Sequence, residues 1–387
     1  MNKSSKGYLW NLRSGLKEEL ALSTLRLDQD SPVKRLPKHP NRARPQQFLD
    51  SFDFTTLYYD CFWDQEQRDI LCVGPTPTNL RAHYKKAIYR ALPSGKILKV
   101  KHFFSLSVMT SQLKDVPSDT VQVEMEFAGQ VFVMDVQPNG CEHFKRENLM
   151  FTLSKNNDLK WIRFWADYHV RHQNVTSIVF FDNGSDQYEL NDLIDTLRSV
   201  KGLKKVLVAT MPYPYCAKDE ILKVNPYWAH FLQIALMTIV LRRFGMRANA
   251  ILNLDVDELA NSNGAGDVFA LAERSSLGIL AMKGIWVEPI AESNSGDHRD
   301  FCTVAKDEKI SHCYAGKWAI DPKRKWFKKL KVFPYMHWIE NRAQLGRRYV
   351  EGVHFWHFKG INTNWKLKRA KPMEYDPEIH EKRDITF

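Results

Sequence analysis

The chain has 387 residues, 56 Lys and Arg against 45 Asp and Glu, a formal net charge of +11, and 44% hydrophobic residues. That length exceeds one ordinary hydrophobic core, and the composition excludes a disordered or fibrous chain. The positive balance points to an acidic partner, which leaves nucleic acid, an anionic membrane surface and a phosphate-bearing substrate open. Six cysteines without CxxC spacing exclude a disulfide scaffold and read as reduced thiols of a cytoplasmic protein.

The first twenty residues, MNKSSKGYLWNLRSGLKEEL, lack the apolar core of a signal peptide. Residues 28–47 are rich in proline and basic side chains and read as an arm or linker, so residues 1–47 are expected to be a terminal segment. Residues 48–147 read as a β-rich section. In TVQVEMEF–AG–QVFVMDV, Val121, Val123, Met125 and Phe127 alternate with polar residues and predict one buried face of a hairpin.

After Asn148 the pattern alternates between helix and strand, which predicts a parallel-sheet α/β nucleus over about residues 149–290 within a domain that spans residues 148–387. DLKWIRFWADYHVRHQ reads as a helix, TSIVFF as a strand, DNGSDQYE as a loop, NDLIDTLRSV as a helix and KKVLVA as a strand. The apolar run Trp228–Leu241 is shorter than the roughly 20 residues that cross a bilayer and predicts a buried helix. Arg242 and Arg243 then suit the negative end of its dipole, and Gly245 suits a C-terminal cap. ANAILNL reads as the next strand.

Two acidic loops follow strands: Asp182-Asn183-Gly184-Ser185 after SIVFF, and Asp255-Val256-Asp257-Glu258 after ILNL. Open α/β sheets bind ligands beyond the carboxyl ends of their strands, so both loops are site candidates. If the second loop is extended, Asp255 and Asp257 face the same way and Val256 faces the core. Such hard oxygen ligands suit Mg²⁺ or Mn²⁺ that takes further ligands from substrate phosphates. Asp28-Gln29-Asp30 has the same spacing without a preceding strand, so context carries the reading. His298, Cys302, His312 and Cys313 cluster in sequence, but their spacing matches no standard zinc pattern.

Together with TLSKNNDLKWIRFWADYH, the pair FFDNGS and NLDVDE resembles glycosyltransferases of the GT-A fold, in particular the family 2-like and family 92-like group. The resemblance covers roughly residues 149–366. It implies a Rossmann-like nucleotide-sugar-binding domain behind a smaller β-rich section. It also implies that Asp182 meets the base or ribose, that Asn183 and Ser185 shape that loop, and that Asp255 and Asp257 hold the metal and donor diphosphate.

VHFWHFKGINTNWKLKR, residues 353–369, resembles the C-terminal element of the same group, in which a histidine completes the metal site. His354 and His357 point to opposite faces of an extended segment because their separation is odd. His354 is the expected ligand. Trp356 and Trp365 are expected at the acceptor, since an indole face complements the C–H face of a sugar. Lys317, Lys323 and Arg324 are candidates to neutralise phosphate. Glu288 is the expected general base, with Glu292, Asp297 and Asp300 as rivals.

The resulting expectation is a cytoplasmic, metal-dependent glycosyltransferase of bacterial surface or capsular polysaccharide synthesis. Its partners would be a nucleotide-sugar donor, UDP-linked in preference to GDP-linked, and a glycan or glycolipid acceptor, with peripheral contact to an anionic inner-membrane face and no nucleic acid. Two rival classes are a Mg²⁺-dependent nuclease or phosphatase and a non-catalytic nucleic-acid-binding protein. The first leaves the D-N-G-S loop unexplained and the second lacks a recognisable binding module.

Overall fold

The computed structural model describes residues 5–222, 225–340, 349–363 and 373–387. Among them a ten-stranded mixed sheet forms the centre. Its strands, with the helices between them, are β1 (Gly7–Asn11), β2 (Leu16–Glu19), β3 (Asn148–Ser154), α1 (Leu159–Gln173), β4 (Ser177–Asp182), α2 (Leu190–Arg198), β5 (Lys205–Thr210), α3 (Phe231–Ile239), β6 (Ala250–Asn253), β7 (Glu258–Asn261), α4 (Val268–Arg274), β8 (Ile279–Val287), β9 (His312–Ile320) and β10 (Tyr349–Phe358). Across the sheet they run β7-β10-β8-β9-β6-β3-β4-β5-β1-β2.

The four strands β5, β4, β3 and β6 are mutually parallel. All of β4 is buried, which is why it reads as an unbroken apolar run rather than an alternating one. The chain moves from β3 outward to β4 and β5, then returns to the other side of β3 as β6. That reversal makes a topological switch point at the carboxyl ends of β3 and β6, where neighbouring loops leave in opposite directions. The remaining sheet is mostly antiparallel, and β6 pairs with β9 through Asn253 opposite Trp318.

Within the expected terminal segment, residues 5–47 do more than link. β1 pairs with β5 and extends the main sheet, and Arg35 is fully buried, donating to the carbonyls of Asp53, Thr56 and Thr76. Behind it the β-rich section forms two four-stranded sheets. In the expected hairpin, Gln122–Phe127 pairs with Gln130–Asp135, and Val123, Met125 and Phe127 are buried. Val121 departs from the expectation: it precedes the strand and is 63% exposed.

The β-rich and α/β sections share a hydrophobic core. Tyr59, Phe62 and Val73 of the former pack with Phe151, Phe181, Leu207 and the apolar α3 of the latter. The apolar run is indeed a buried helix, but Arg242 and Arg243 do not sit in solvent at its end. A wider helical turn over Val240–Gly245 carries both inward. Arg243 forms a wholly buried ion pair with Asp60 at 2.8 Å, and Arg242 donates to the carbonyls of Phe327, Lys329 and Val332. Gly245 lies inside this turn and does not cap it. A Cβ there would stand 2.3 Å from Ile251 Cδ1, so glycine permits close packing against β6.

Helix α1 starts at the Asp158 cap, whose side chain accepts from the Lys160 N–H, and stops at Asn174 with φ 54°. Its polar residues fix the edge strand β7. Tyr168 and Gln173 both donate to the Ala260 carbonyl, and the Ala260 N–H donates to His169 Nε2 at 3.1 Å. His169 Nδ1 in turn contacts the Trp165 carbonyl at 2.8 Å, so the ring is a neutral tautomer with one N–H. Burial holds its pKa down to about 3, and burial holds buried His298 down to about 4.

These two rings give the fold a pH dependence. The unfolded chain takes up their protons near pH 6.5 and the folded chain only well below it, so the stability these two rings contribute is complete above about pH 6.5 and falls as pH drops. A urea-denaturation series should show a slope of up to about 1.4 kcal/mol per pH unit per histidine between pH 6 and 4.5. His169→Gln should flatten that slope. An unchanged slope in the variant would mean His169 is not buried neutral.

Candidate active site

The loop that leaves β6 is a turn closed by the Glu258 N–H on the Asp255 carbonyl at 3.1 Å, not the extended segment expected from its spacing. The outcome for side chains is nonetheless similar. Val256 is buried in the second hydrophobic core, while the Asp255 and Asp257 side chains remain 30% and 19% exposed. Glu258, the first residue of β7, is turned inward, and its carboxylate accepts from the Asp255 N–H at 2.9 Å.

Two strands from opposite directions complete the cluster. β9 brings Lys317, whose Nζ lies 2.9 Å from Asp255 Oδ2 and 2.8 Å from Glu258 Oε2. β10 pairs antiparallel with β7 in a register that sets His357 opposite Glu258. His357 Nε2 is then 3.2 Å from Asp257 Oδ2, Nδ1 is 3.8 Å from Glu258 Oε1, and Cys313 Sγ is 3.5 Å from Nδ1. Trp286 of β8 stacks on the imidazole with centroids 3.9 Å apart.

The electrostatics follow from burial of charges that are paired. Burial raises the pKa of Glu258 against the pull of Lys317. Burial also works against the Lys317 and His357 cations, but the carboxylates outweigh it: Asp255 and Glu258 hold Lys317 above its ordinary value, and Asp257 lifts His357 to about 10. His337, whose Nδ1 contacts the Gly316 carbonyl at 2.7 Å, is instead held down to about 4 by burial and by Lys317.

Asp257, Glu258 and His357 offer ligand atoms all within 4.8 Å of one another. Cis ligands about 2.1 Å from Mg²⁺ stand roughly 3 Å apart, which the 3.2 Å between Asp257 and His357 already matches. Two carboxylates and one imidazole form a mixed oxygen and nitrogen donor set that suits a divalent cation once His357 is neutral. The donor set therefore fits a divalent cation.

The structure places the other expected residues as follows. His357, not His354, faces the carboxylates; the odd separation does put the two on opposite faces, and His354 Nδ1 lies 3.2 Å from the Gly352 carbonyl. Lys317 is at the site, but Lys323 and Arg324 are at the far end of the sheet, bound to Glu273 and Asp321. Glu288 is buried, with both oxygens on Lys359 Nζ at 2.6 and 2.8 Å. Its rivals lie in loops: Asp297 pairs with Arg299, Glu292 with Lys382, and Asp300 accepts from Ser293, Ser295 and Gly296. Trp356 is 5% exposed and belongs to the core, whereas Trp365 lies outside the described residues.

Asp182 ends β4, two strands from β6 across the same edge, a separation of roughly 10 Å. Its carboxylate accepts from the Gly184 N–H, the Ser185 N–H and the Ser185 hydroxyl, closing a turn in which Gly184 has φ 71°. Asn183 donates to the carbonyls of Met211 and Tyr213. Sequence reasoning gave no role to Glu258, Cys313, Trp286 or His337. Glu258 stood in the acidic motif; the others become visible only through strand register.

No protein-family model and no curated protein matches the chain. Among solved structures, the apo form of the bifunctional glycosyltransferase WbbM is similar over 53% of this chain and 39% of its own, with 12% identity and a TM-score of 0.26. The chain thus spans well under half of that protein.

The buried charges make the cluster sensitive to single deletions. Removing one partner of a buried ion pair leaves the other uncompensated, at a cost of about 3–5 kcal/mol. Lys317→Met should therefore lower unfolding stability by about that amount in urea titrations, and a Lys317→Met/Glu258→Leu double variant should recover part of the loss. A neutral effect of Lys317→Met would show that Glu258 and Asp255 are solvated in solution.

Proposed function

We propose that the protein is a metal-dependent glycosyltransferase that moves a sugar from a nucleoside diphosphate donor, UDP in preference to GDP, to an acceptor hydroxyl. The observation that carries this reading is the pairing of two partly exposed aspartates, Asp255 and Asp257, with a buried Glu258 and His357 beside a topological switch point. The D-N-G-S turn at the same edge supports it, because roughly 10 Å from Asp182 to Asp255 is a span that an extended nucleoside diphosphate covers. In this reading the nucleoside lies along residues 182–185 and the diphosphate beside Asp255 and Asp257.

In the reaction the bond between the anomeric carbon and the phosphate oxygen breaks, a bond from the acceptor oxygen forms, and the acceptor proton leaves to a base. When bound, Mn²⁺ or Mg²⁺ supplies positive charge where the departing diphosphate gains negative charge. Asp257 and His357, with Glu258 behind them, would hold the ion. Lys317 fixes the Asp255 and Glu258 carboxylates in place, so their orientation needs no rearrangement when the donor arrives.

The acceptor side is assigned to β8. Trp286 is half-buried against His357 and takes the stacking role that the buried Trp356 is too enclosed to fill. Glu288, two residues on, is the candidate base. Lys359 holds both of its oxygens, so an acceptor hydroxyl must compete with that ammonium to reach it. The acceptor is taken to be a glycan or glycolipid, and the setting surface polysaccharide synthesis in the cytoplasm.

Calorimetric titration of UDP and of GDP, each with and without Mn²⁺, tests this reading on the wild type and on Asp257→Ala. Metal-dependent binding of one nucleotide, weakened at least tenfold in a variant that still melts cooperatively, is the expected result. If neither nucleotide binds a folded wild type in the presence of Mn²⁺, the cluster is structural.

A further inference from the structure

The parallel strands that carry the carboxylates at one end carry lysines and arginines at the other. Arg146 precedes β3, Lys201 and Lys204 precede β5, Arg247 precedes β6, and the segment KRKWFKKLK, residues 323–331, follows β9, which runs antiparallel to β6 and so returns to the same pole. Contacts confirm the convergence. Lys323 Nζ donates to the Asn249 carbonyl, Asn249 Nδ2 donates to the Arg146 carbonyl, and the Arg146 N–H donates to the Arg247 carbonyl.

The acids at this pole are already paired. Glu273 and Asp321 hold Lys323 and Arg324, Glu142 holds Arg247, and Glu147 holds Lys205. Lys325, Lys328 and Lys329 are exposed, and their side chains make no ion pair among the described residues. Their backbone is rigidly held. Arg242, fully within the protein, grips the carbonyls of Phe327, Lys329 and Val332, while Phe327 is buried with Trp326 stacked on it at 3.6 Å and anchored through Nε1 to the Leu277 carbonyl. A buried guanidinium thus fixes a loop whose ammonium groups stand in solvent, so little side-chain-bearing backbone has to be ordered on contact.

We infer that this basic pole, centred on Lys325, Lys328 and Lys329, docks on an anionic phospholipid surface. Charge complementarity argues for it: Lys325, Lys328 and Lys329 are exposed within a nine-residue segment that holds no acid, and their ammonium groups attract a surface of negative headgroups. A strand of the central sheet separates this pole from the carboxylates, on the order of 10–20 Å. Docking therefore sets the carboxylates at the end of the sheet remote from the lipid, which goes beyond a general attraction of a basic protein to membranes. The inference does not depend on the catalytic reading.

Sedimentation with vesicles, without nucleotide or metal, tests it. Wild-type protein is mixed at low salt with phosphatidylglycerol/phosphatidylcholine vesicles and with pure phosphatidylcholine vesicles. The same is done with Lys325→Glu/Lys328→Glu/Lys329→Glu, and with Lys85→Glu/Lys86→Glu/Lys99→Glu, which reverses three exposed lysines of the β-rich section and changes net charge equally. Binding to the anionic vesicles alone, reduced about a hundredfold in the first variant and much less in the second, is expected. Equal loss in both variants would reduce the effect to net charge and overturn the proposal, as would absence of wild-type binding. Tighter, lysine-dependent capture by single-stranded DNA or RNA in a competition with the vesicles would replace the lipid by a polynucleotide and also overturn it. Unchanged melting temperatures of both variants exclude unfolding as the cause.

Discussion

Glu258 and Lys317 are withdrawn from water together, and neither charge could remain buried without the other. Their side chains are each 2% exposed and 2.8 Å apart. Because desolvation of two ions is offset only by close, fixed geometry, the pair locks β7 to β9 across the end of β6. Everything at the site is placed relative to that lock: Asp255 is held by the same ammonium, Asp257 follows in the turn, and His357 is brought opposite Glu258 by strand register. The pair thus contributes more to position than to stability.

The lock needs an edge strand that does not move, and α1 supplies it. Three polar side chains of one helix, Tyr168, His169 and Gln173, occupy both backbone groups of Ala260, and Gln173 also accepts from the Val268 N–H at the start of α4. An edge strand with satisfied backbone groups is neither frayed nor available for pairing with another chain. On the far side of the molecule Arg243 and Asp60 play a comparable part, joining the α/β section to the β-rich section inside their shared core. Buried polar contacts, more than apolar ones, decide how the layers register here, because apolar packing tolerates small slides and hydrogen bonds do not.

Strand direction organises the charges of the whole molecule. Parallel strands gather their loops into two poles; one pole holds Asp255, Asp257 and the Asp182 turn, and the other holds Arg146, Arg247 and the 323–331 segment. A net charge of +11 is therefore a sum over an acidic edge and a strongly basic one. The same topology explains why Lys317 and Lys323, six positions apart, serve different ends. β9 runs antiparallel to β6, so Lys317 within it stands beside the carboxyl end of β6, and Lys323, beyond its last residue, reaches Asn249 at the amino end.

The sequence alone determined what depends on local periodicity and chain direction. The apolar runs SIVFF and ILNL had to be buried strands, the acidic loops had to fall at their carboxyl ends, and the odd spacing of His354 and His357 had to place them on opposite faces. Those facts are fixed by side-chain geometry within a few residues. Only the tertiary structure decided which histidine meets Asp257, since one register of β10 on β7 presents His357 and a slip of one residue would present the other face. It also turned Arg242 and Arg243 inward, buried Trp356, and recruited Glu258 and Lys317 as a pair. Each of those outcomes rests on partners far away in the chain, such as Asp60 for Arg243 and Lys317 for Glu258, and no local pattern records them.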